Sequence, residues 1–171
     1  MVELLKKYRL VTTMLKRKTM KFIVTVIGYG NDLRNDDGIG QRVANAIACW
    51  HLSTVKSLAV HQLTPELATT LANTELAIFV DACLTSENSQ VQVQSLLPSC
   101  FIGNSSHLGD PRSLLALTSV IYGHCPLAYL VTVPGVNFEL GDRLSSIAET
   151  GVVIALLKII QLLDKSRNIW I

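Results

Sequence analysis

Apolar residues along this chain fall into two patterns, short unbroken runs and repeats spaced three or four residues apart. The short runs are rich in β-branched residues and predict strands that are buried on both faces. They cover residues 22–27, 55–61, 76–81 and 128–133. Residues 90–96 instead alternate polar and apolar side chains, which is typical of an edge strand with one exposed face. The first run, residues 22–27, is expected to be the central strand.

The helical repeats predict four helices, over residues 38–50, 65–73, 110–119 and 144–163. Thr64 is a good N-cap for the second helix, with Pro65 at its first position, and Asp110-Pro111 opens the third in the same way. Gly151 is expected to be a tolerated weak point inside the last helix. Strands that alternate with helices predict an α/β protein: a single three-layer α/β/α domain with a mostly parallel sheet and an antiparallel edge strand.

Length and charge favour one domain with a basic head. A chain of 171 residues with 49% apolar content can enclose one core. The first nineteen residues hold six of the fifteen Lys and Arg residues but only one of the thirteen Asp and Glu residues. Residues 1–19 are therefore interpreted as a flexible extension or an alternative start, 20–165 as the domain and 166–171 as a tail. The domain is mildly acidic, which gives no support for nucleic-acid binding.

Membrane and disulfide signals are weak. No unbroken apolar run reaches about 18 residues, so no membrane span is expected. The four cysteines are widely spaced and form no Cys-x-x-Cys pair, which favours reduced thiols in a cytoplasmic protein over a zinc site or a disulfide framework. Cys83 is expected to be a buried thiol and not a nucleophile.

The run G-Y-G-N-D-L-R-N-D-D-G-I-G follows the first predicted strand. Gly28 and Gly30 allow a tight turn and close backbone approach. A dinucleotide fingerprint would need a third glycine at position 33, where this chain has Leu33, and the acidic pair Asp36-Asp37 would repel a pyrophosphate. The pattern therefore argues against NAD binding.

Acidic residues and a histidine suggest a different site. Asp37 follows the first strand, Asp81 ends another, and His107 lies in a later loop. Ligands of open α/β sheets bind at the carboxyl ends of the strands, where the two carboxylates are expected. Two carboxylates and an imidazole suit a divalent metal such as nickel or zinc. The spacing is equally compatible with a helix cap, a hydrogen-bonded strand-end acid and an ordinary loop histidine.

Three segments in this order resemble the nickel-iron hydrogenase maturation endopeptidases. They are the glycine run above, I-F-V-D-A at residues 78–82 and S-S-H-L-G at residues 105–109. The resemblance extends over residues 20–163. It implies an endopeptidase that removes a C-terminal extension from the hydrogenase large-subunit precursor after nickel insertion. It also implies that Asp37, Asp81 and His107 contact nickel carried by the substrate, and that the protein has no permanent cofactor.

Two positions depart from the family pattern. Many members have Glu at the position of Asp37, and Asp36 could compete for its role. The second strand ends in His61-Gln62-Leu63 where many members have Asp-Gly-x-Thr, and this variant resembles the subgroup that serves bidirectional NAD-linked hydrogenases. These three residues either recognise the substrate or merely shape the cleft. Other candidates for substrate recognition are three residues of the glycine turn, namely Gly28, Gly30 and Asn31.

Two other functions stay open: a hydrolase that holds its own metal, and a metal-sensing maturation chaperone without proteolytic activity. His51 and His124 are expected to be structural, because one ends a helix and the other lies in a turn. The protein is expected to be a monomer.

Overall fold

The computed structural model describes residues 22–85, 90–99 and 109–169. Five strands and four helices follow one another in this part of the chain. The strands are β1 (Val24–Tyr29), β2 (Val55–Val60), β3 (Leu76–Leu84), β4 (Gln92–Leu96) and β5 (Leu127–Gly135). The helices are α1 (Ile39–Ala48), α2 (Leu67–Ala72), α3 (Pro111–Tyr122) and α4 (Ser146–Ile169), and a 3₁₀ turn (Asn35–Gly38) leads into α1. Helix α4 thus continues beyond residue 165. The basic residues 1–19 lie outside the described part.

The strands form one sheet in the order β2-β1-β3-β5-β4. All neighbouring pairs are parallel except β4 and β5, which are antiparallel. The predicted fold class, with its antiparallel edge strand, is confirmed. The expectation that β1 is central is wrong, because β3 takes the middle position and pairs with β1 on one side and β5 on the other. Both strands are equally apolar, so composition alone did not distinguish them.

Each face of the sheet is covered by two helices, which gives two apolar cores. On one face, α1 and α4 pack against alternate residues of the strands, including Val26, Ile78 and Val133. On the other face, α2 and α3 pack against the residues between them, including Ile27 and Phe79. Full burial of an apolar side chain of this size stabilises the folded state by about 1.5–3 kcal/mol. The alternation therefore fixes which side chains reach each face at the carboxyl ends of the strands.

Two predicted boundaries are wrong for local reasons. Strand β5 was expected to end before Pro134, yet it continues to Gly135. Strand β4 pairs only with residues 128–132, so the nitrogen of Pro134 lies beyond the ladder on that side and no hydrogen bond is lost. Thr64 does not cap α2: the amide of Leu67 bonds the Thr64 carbonyl in a preceding turn, and the helix begins at Leu67. Asp110 caps α3 as predicted, because its carboxylate accepts from the Ser113 amide at 3.2 Å.

Helix α4 meets the length and composition criteria for a membrane span over Ser146–Ser166, although the sequence pattern led us to expect none. Of that segment, 28% is buried in the protein. Ala148, Ala155 and Ile159 lie fully buried against the sheet, whereas Val153, Ile154 and Leu157 are exposed. Length and composition alone are weak evidence for a membrane span.

Gly151 is a packing residue of α4 and not merely a weak point. A Cβ added there would lie 2.5 Å from Cγ1 of Val133 on β5. Valine has a short, stiff side chain and cannot move aside easily. The glycine therefore sets how closely α4 approaches the sheet.

Asp36, in the 3₁₀ turn, joins two loops through a buried carboxylate. Its side chain is fully buried and accepts hydrogen bonds from the amides of Val136, Asn137 and Ser145 at 2.7–3.0 Å, and from the Ser145 hydroxyl at 2.7 Å. Burial by itself would raise the pKa of Asp36, but these hydrogen bonds outweigh it and lower the pKa below its ordinary value. This anion thus bonds the glycine loop to the loop between β5 and α4, in addition to the backbone hydrogen bonds between them.

We expect Gly151→Ala to lower the free energy of unfolding by about 1–3 kcal/mol, although alanine is the better helix former, because the new methyl overlaps Val133. Urea denaturation measures the loss. In a Val133→Ala background, which removes the opposing methyl, the same substitution should cost clearly less. Equal costs in both backgrounds would contradict the packing role.

We expect Asp36→Asn to lower the free energy of unfolding at pH 7 by about 2–4 kcal/mol, because charge-assisted hydrogen bonds to buried amides are lost. The folded-state pKa of Asp36 is lowered, so its contribution is present above the unfolded pKa of about 3.9 and disappears as the pH falls through the folded value. The stabilities of both proteins should therefore begin to converge below about pH 4 and become similar only once the pH is below the folded pKa of Asp36. Exposed Asp32→Asn, in the same loop, is the control and should change stability by less than about 0.5 kcal/mol. A pH-independent difference would show that the anion is not the cause.

Candidate functional site

The two predicted carboxylates lie at one edge of the sheet, beside the carboxyl end of β1, although Asp81 does not end its own strand as expected, because β3 continues to Leu84 along β5. Residue Gly28 of β1 stands opposite Val80 of β3, so Asp81 follows directly beside the end of β1. Asp37 returns to the same place through the glycine loop, and its charge acts on Asp81. This is the edge of the sheet at which ligands of open α/β folds bind.

Close backbone contact places the start of α1 against this edge. A Cβ added at Gly28 would overlap the carbonyl oxygen of Gly40, and one added at Gly40 would overlap the carbonyl oxygens of Tyr29 and Val80. Any larger residue at either position would push the helix away from the strand. The two glycines therefore bring the turn that carries Asp37 close to Asp81.

Asp37 is held by the loop that precedes it. Its Oδ2 atom accepts a hydrogen bond from the Asn31 amide at 2.8 Å, and its side chain is half-buried. Gly30 has φ +131°, a conformation that favours glycine, and a Cβ there would overlap the Asp37 carbonyl. Gln41 of α1 donates to the Gly30 carbonyl at 2.7 Å. The predicted residues Gly30 and Asn31 thus orient the Asp37 carboxylate.

Asp81 has an unusually high pKa for a carboxyl group. Burial is the main cause of the rise to about 6, and the nearby charge of Asp37 adds to it. Hydrogen bonds from the Tyr29 hydroxyl and the Ala82 amide oppose the rise by stabilising the anion. Tyr29 is itself buried on β1, and burial together with the Asp81 charge raises its pKa, so the phenol stays neutral and donates.

Asp36 and Asp37 differ sharply in availability. All the hydrogen bonds to Asp36 described above come from its own protein, and its side chain has no exposed surface. Asp37 is partly exposed and accepts one described side-chain hydrogen bond on Oδ2. A ligand at this edge of the sheet therefore meets Asp37 and not Asp36.

Backbone amides of the glycine loop are used within the protein. Gly30 donates to the His61 carbonyl at 3.2 Å, and Asp37 donates to the Arg34 carbonyl at 3.0 Å. The other bonded amides of this loop donate at 2.8–3.0 Å: Asn31 to Asp37, Leu33 and Arg34 to Asn31, Asn35 to Gly141, and Asp36 to Asn137. These N–H groups do not point toward a ligand, as they would in a phosphate-binding loop.

The predicted recognition residues divide between surface and core. His61 and Gln62 are exposed at the end of β2, next to the glycine loop. Leu63 is buried with the residues of α2 and α3, so it packs in the core. Gly28 lies inside β1, where it allows the contact with Gly40.

The predicted third ligand, His107, lies outside the described residues. Within the described residues, no group of three His, Cys, Asp or Glu side chains could hold a metal ion. Cys83 is on β3, where it pairs with Pro134 of β5. The Nε2 atom of His124 lies 2.8 Å from the Ala72 carbonyl oxygen, a contact between α2 and the end of α3. His51 is exposed after α1.

Two residues of the site were missed in the sequence. Tyr29 stands inside the glycine run, but its aromatic side chain suggested only a strand residue. Its register beside Asp81 depends on which strands pair. Ser145, which bonds Asp36 twice, lies 109 residues later in the chain and has no local signal.

Comparisons with solved structures place this fold among known proteases. The fold is similar to the hydrogenase maturating endopeptidase HybD from E. coli, with a TM-score of 0.71 and 24% identity over 84% of this chain and 93% of that chain. An endopeptidase from Escherichia coli, solved in solution, gives a TM-score of 0.67 and 25% identity over 84% of this chain and 93% of that one. The nickel-iron hydrogenase maturation protease HycI from Thermococcus kodakarensis KOD1 gives 0.64 and 18%, over 85% and 95%.

Neither a protein-family model nor a curated protein matches the chain. The solved structures nevertheless cover most of the chain and nearly all of their own length. They support the resemblance that the three sequence segments indicated. The chain therefore has the fold of the hydrogenase maturation proteases.

Proposed function

We propose that this protein is an endopeptidase that removes a C-terminal extension from the large-subunit precursor of a nickel-iron hydrogenase once nickel has been inserted. The observation that carries the proposal is the carboxylate pair Asp37 and Asp81, which stands at the carboxyl edge of a sheet with the fold of maturation proteases. The variant His61-Gln62-Leu63 supports a precursor of the bidirectional NAD-linked class.

The electrostatics of the pair suit a cation that arrives with the substrate. Asp81 is half-buried, and the described charge acting on it is another carboxylate. Two like charges at one site are costly unless a proton or a cation offsets them. A nickel ion held in the precursor would supply that charge, with His107 as a third contact. The protein then needs no permanent metal of its own.

Substrate-borne nickel would make cleavage conditional on nickel insertion. With nickel in contact with Asp37 and Asp81, the peptide beside it is held in register at the carboxyl edge of the sheet. A divalent ion polarises a nearby carbonyl and lowers the pKa of bound water. Asp81, whose pKa of about 6 is close to neutral pH, is also suited to accept a proton. The enzyme is proposed to act as a monomer in the cytoplasm.

The decisive experiment incubates the protein with nickel-loaded and with nickel-free large-subunit precursor and follows the precursor's mass. We expect loss of a C-terminal peptide from the loaded form alone. Cleavage of both forms would contradict nickel gating. Stable binding without cleavage would favour a maturation chaperone, and a stoichiometric metal in the purified protein would favour a hydrolase with its own ion.

Variants of the same assay test the assigned residues. We expect Asp37→Asn, Asp81→Asn and His107→Ala each to slow cleavage about 100-fold or more, because each removes a contact to the metal or a proton acceptor. Thermal unfolding should stay close to wild type, since none of the three is assigned to the apolar core. Asp164→Asn, an exposed acid of α4, is the control and should cleave normally. Normal cleavage by any of the three would remove that residue from the site.

Tyr29→Phe tests the hydrogen bond that stabilises the Asp81 anion. The phenyl ring keeps the burial and removes only the hydroxyl, so the pKa of Asp81 should rise further above about 6. Carboxyl carbon NMR across a pH titration measures this value directly. Tyr129→Phe, a half-buried residue packed on the opposite face of the sheet, should leave it unchanged. A constant or lower pKa in Tyr29→Phe would contradict the assigned contact.

A further inference from the structure

Three large apolar side chains are exposed on the two loops that Asp36 joins. The exposed fractions are 64% for Leu33 in the glycine loop, and 50% for Val136 and 85% for Leu140 in the loop after β5. We call these three residues the apolar platform. Leu33 and Leu140 are close in the fold, because the amide of Gly141, next to Leu140, donates to the Leu33 carbonyl at 2.9 Å. Neighbouring exposed apolar residues are typical of an interaction surface.

The backbone beneath the platform is fixed by hydrogen bonds. The Gly141 amide donates to the Leu33 carbonyl at 2.9 Å, and Arg34 pairs with Gly141 in a parallel bridge. The Val136 amide donates to Asp36 at 2.8 Å. Asn35 adds bonds to the Glu139 carbonyl and the Arg143 amide, at 3.0 and 3.2 Å. These hydrogen bonds therefore keep Leu33 and Leu140 exposed to solvent. Exposing apolar side chains to water costs free energy, and a bound partner that buried them would recover it.

Charged side chains of both signs surround the platform. Beside Leu33, an open cavity of about 470 Å³ is lined by groups that include Asp32, Gln41, Arg42 and Asp142. Arg34 and Arg143 are also exposed on these loops. An apolar centre inside a mixed polar rim is the usual composition of a protein–protein interface.

We propose that the apolar platform docks the folded body of the protein whose peptide is cut at Asp37 and Asp81. This inference rests on the proposed function, since it assigns the substrate's main contact. The platform is continuous with the candidate site, because Leu33 lies in the same loop as Asn31, whose amide bonds Asp37. The partner's surface would be apolar at its centre, with Asp or Glu and Lys or Arg side chains around it to meet the mixed rim.

The experiment measures cleavage of the nickel-loaded precursor at increasing precursor concentrations. The test variant is Leu33→Asp with Leu140→Asp, and both side chains point into solvent, so folding should be retained. We expect KM to rise about tenfold or more while kcat stays within about twofold, because docking is lost and the reacting groups are untouched. The matched control is Leu97→Asp with Leu127→Asp, which are 72% and 65% exposed at the opposite end of the sheet.

Each outcome decides the proposal. An unchanged KM, or an equal rise in the control variant, overturns the platform. If the wild type binds the precursor without cleaving it, the endopeptidase function falls and the platform is judged by affinity: about tenfold weaker binding of the test variant supports it, and equal binding overturns it. If the wild type neither binds nor cleaves, both proposals fall. If the wild type is a dimer and the test variant is a monomer, the docking proposal is also overturned, because the platform would then join two copies of this chain.

Discussion

The arrangement of the site depends on one buried anion, the carboxylate of Asp36. It binds three amides and a hydroxyl from a segment about a hundred residues further along the chain. Because the carboxylate is fully buried and accepts four hydrogen bonds, it ties the two loops together, along with the backbone bonds of Asn35 and Leu33 to Gly141. The glycine loop that carries Asp37 is therefore positioned by the far end of the fold as much as by β1.

Asp36 and Asp37 are consecutive in the sequence but have different roles for this reason, as a comparison with Asp81 makes clear. Asp36 is stabilised as an anion by donors of the protein, and its pKa falls. Asp81 is half-buried with fewer donors and a carboxylate nearby, and its pKa rises to about 6. Asp37 lies between these environments, bonded to the loop and still partly exposed. The protein thus keeps its structural anion separate from the carboxylates that are available to a ligand.

Much of this could be predicted from local sequence. The β-type runs and helical repeats predicted the elements within about three residues, apart from the end of α4, which lies at Ile169 instead of residue 163. The Asp110 cap was predicted correctly, and the carboxyl-end rule brought Asp37 and Asp81 to one edge. The rest depends on contacts between distant segments. The place of β3 in the sheet, the buried position of Leu63, the hydroxyl of Tyr29 beside Asp81 and the donors of Asp36 all follow from strand order and loop packing. These contacts between distant segments cannot be predicted from a local sequence pattern.

The internal bonding of the glycine loop also explains why glycine spacing alone misleads. In a phosphate-binding loop, free amides face outward and create a positive pocket. Here the amides bond inward, and carboxylates lie at the surface in their place. The loop makes a glycine-rich turn between a strand and a helix, as a nucleotide-binding loop does. It presents negative charge to a ligand, whereas a nucleotide-binding loop presents positive charge. The same strand–turn–helix unit can thus select ligands of opposite sign, according to where its amides are used.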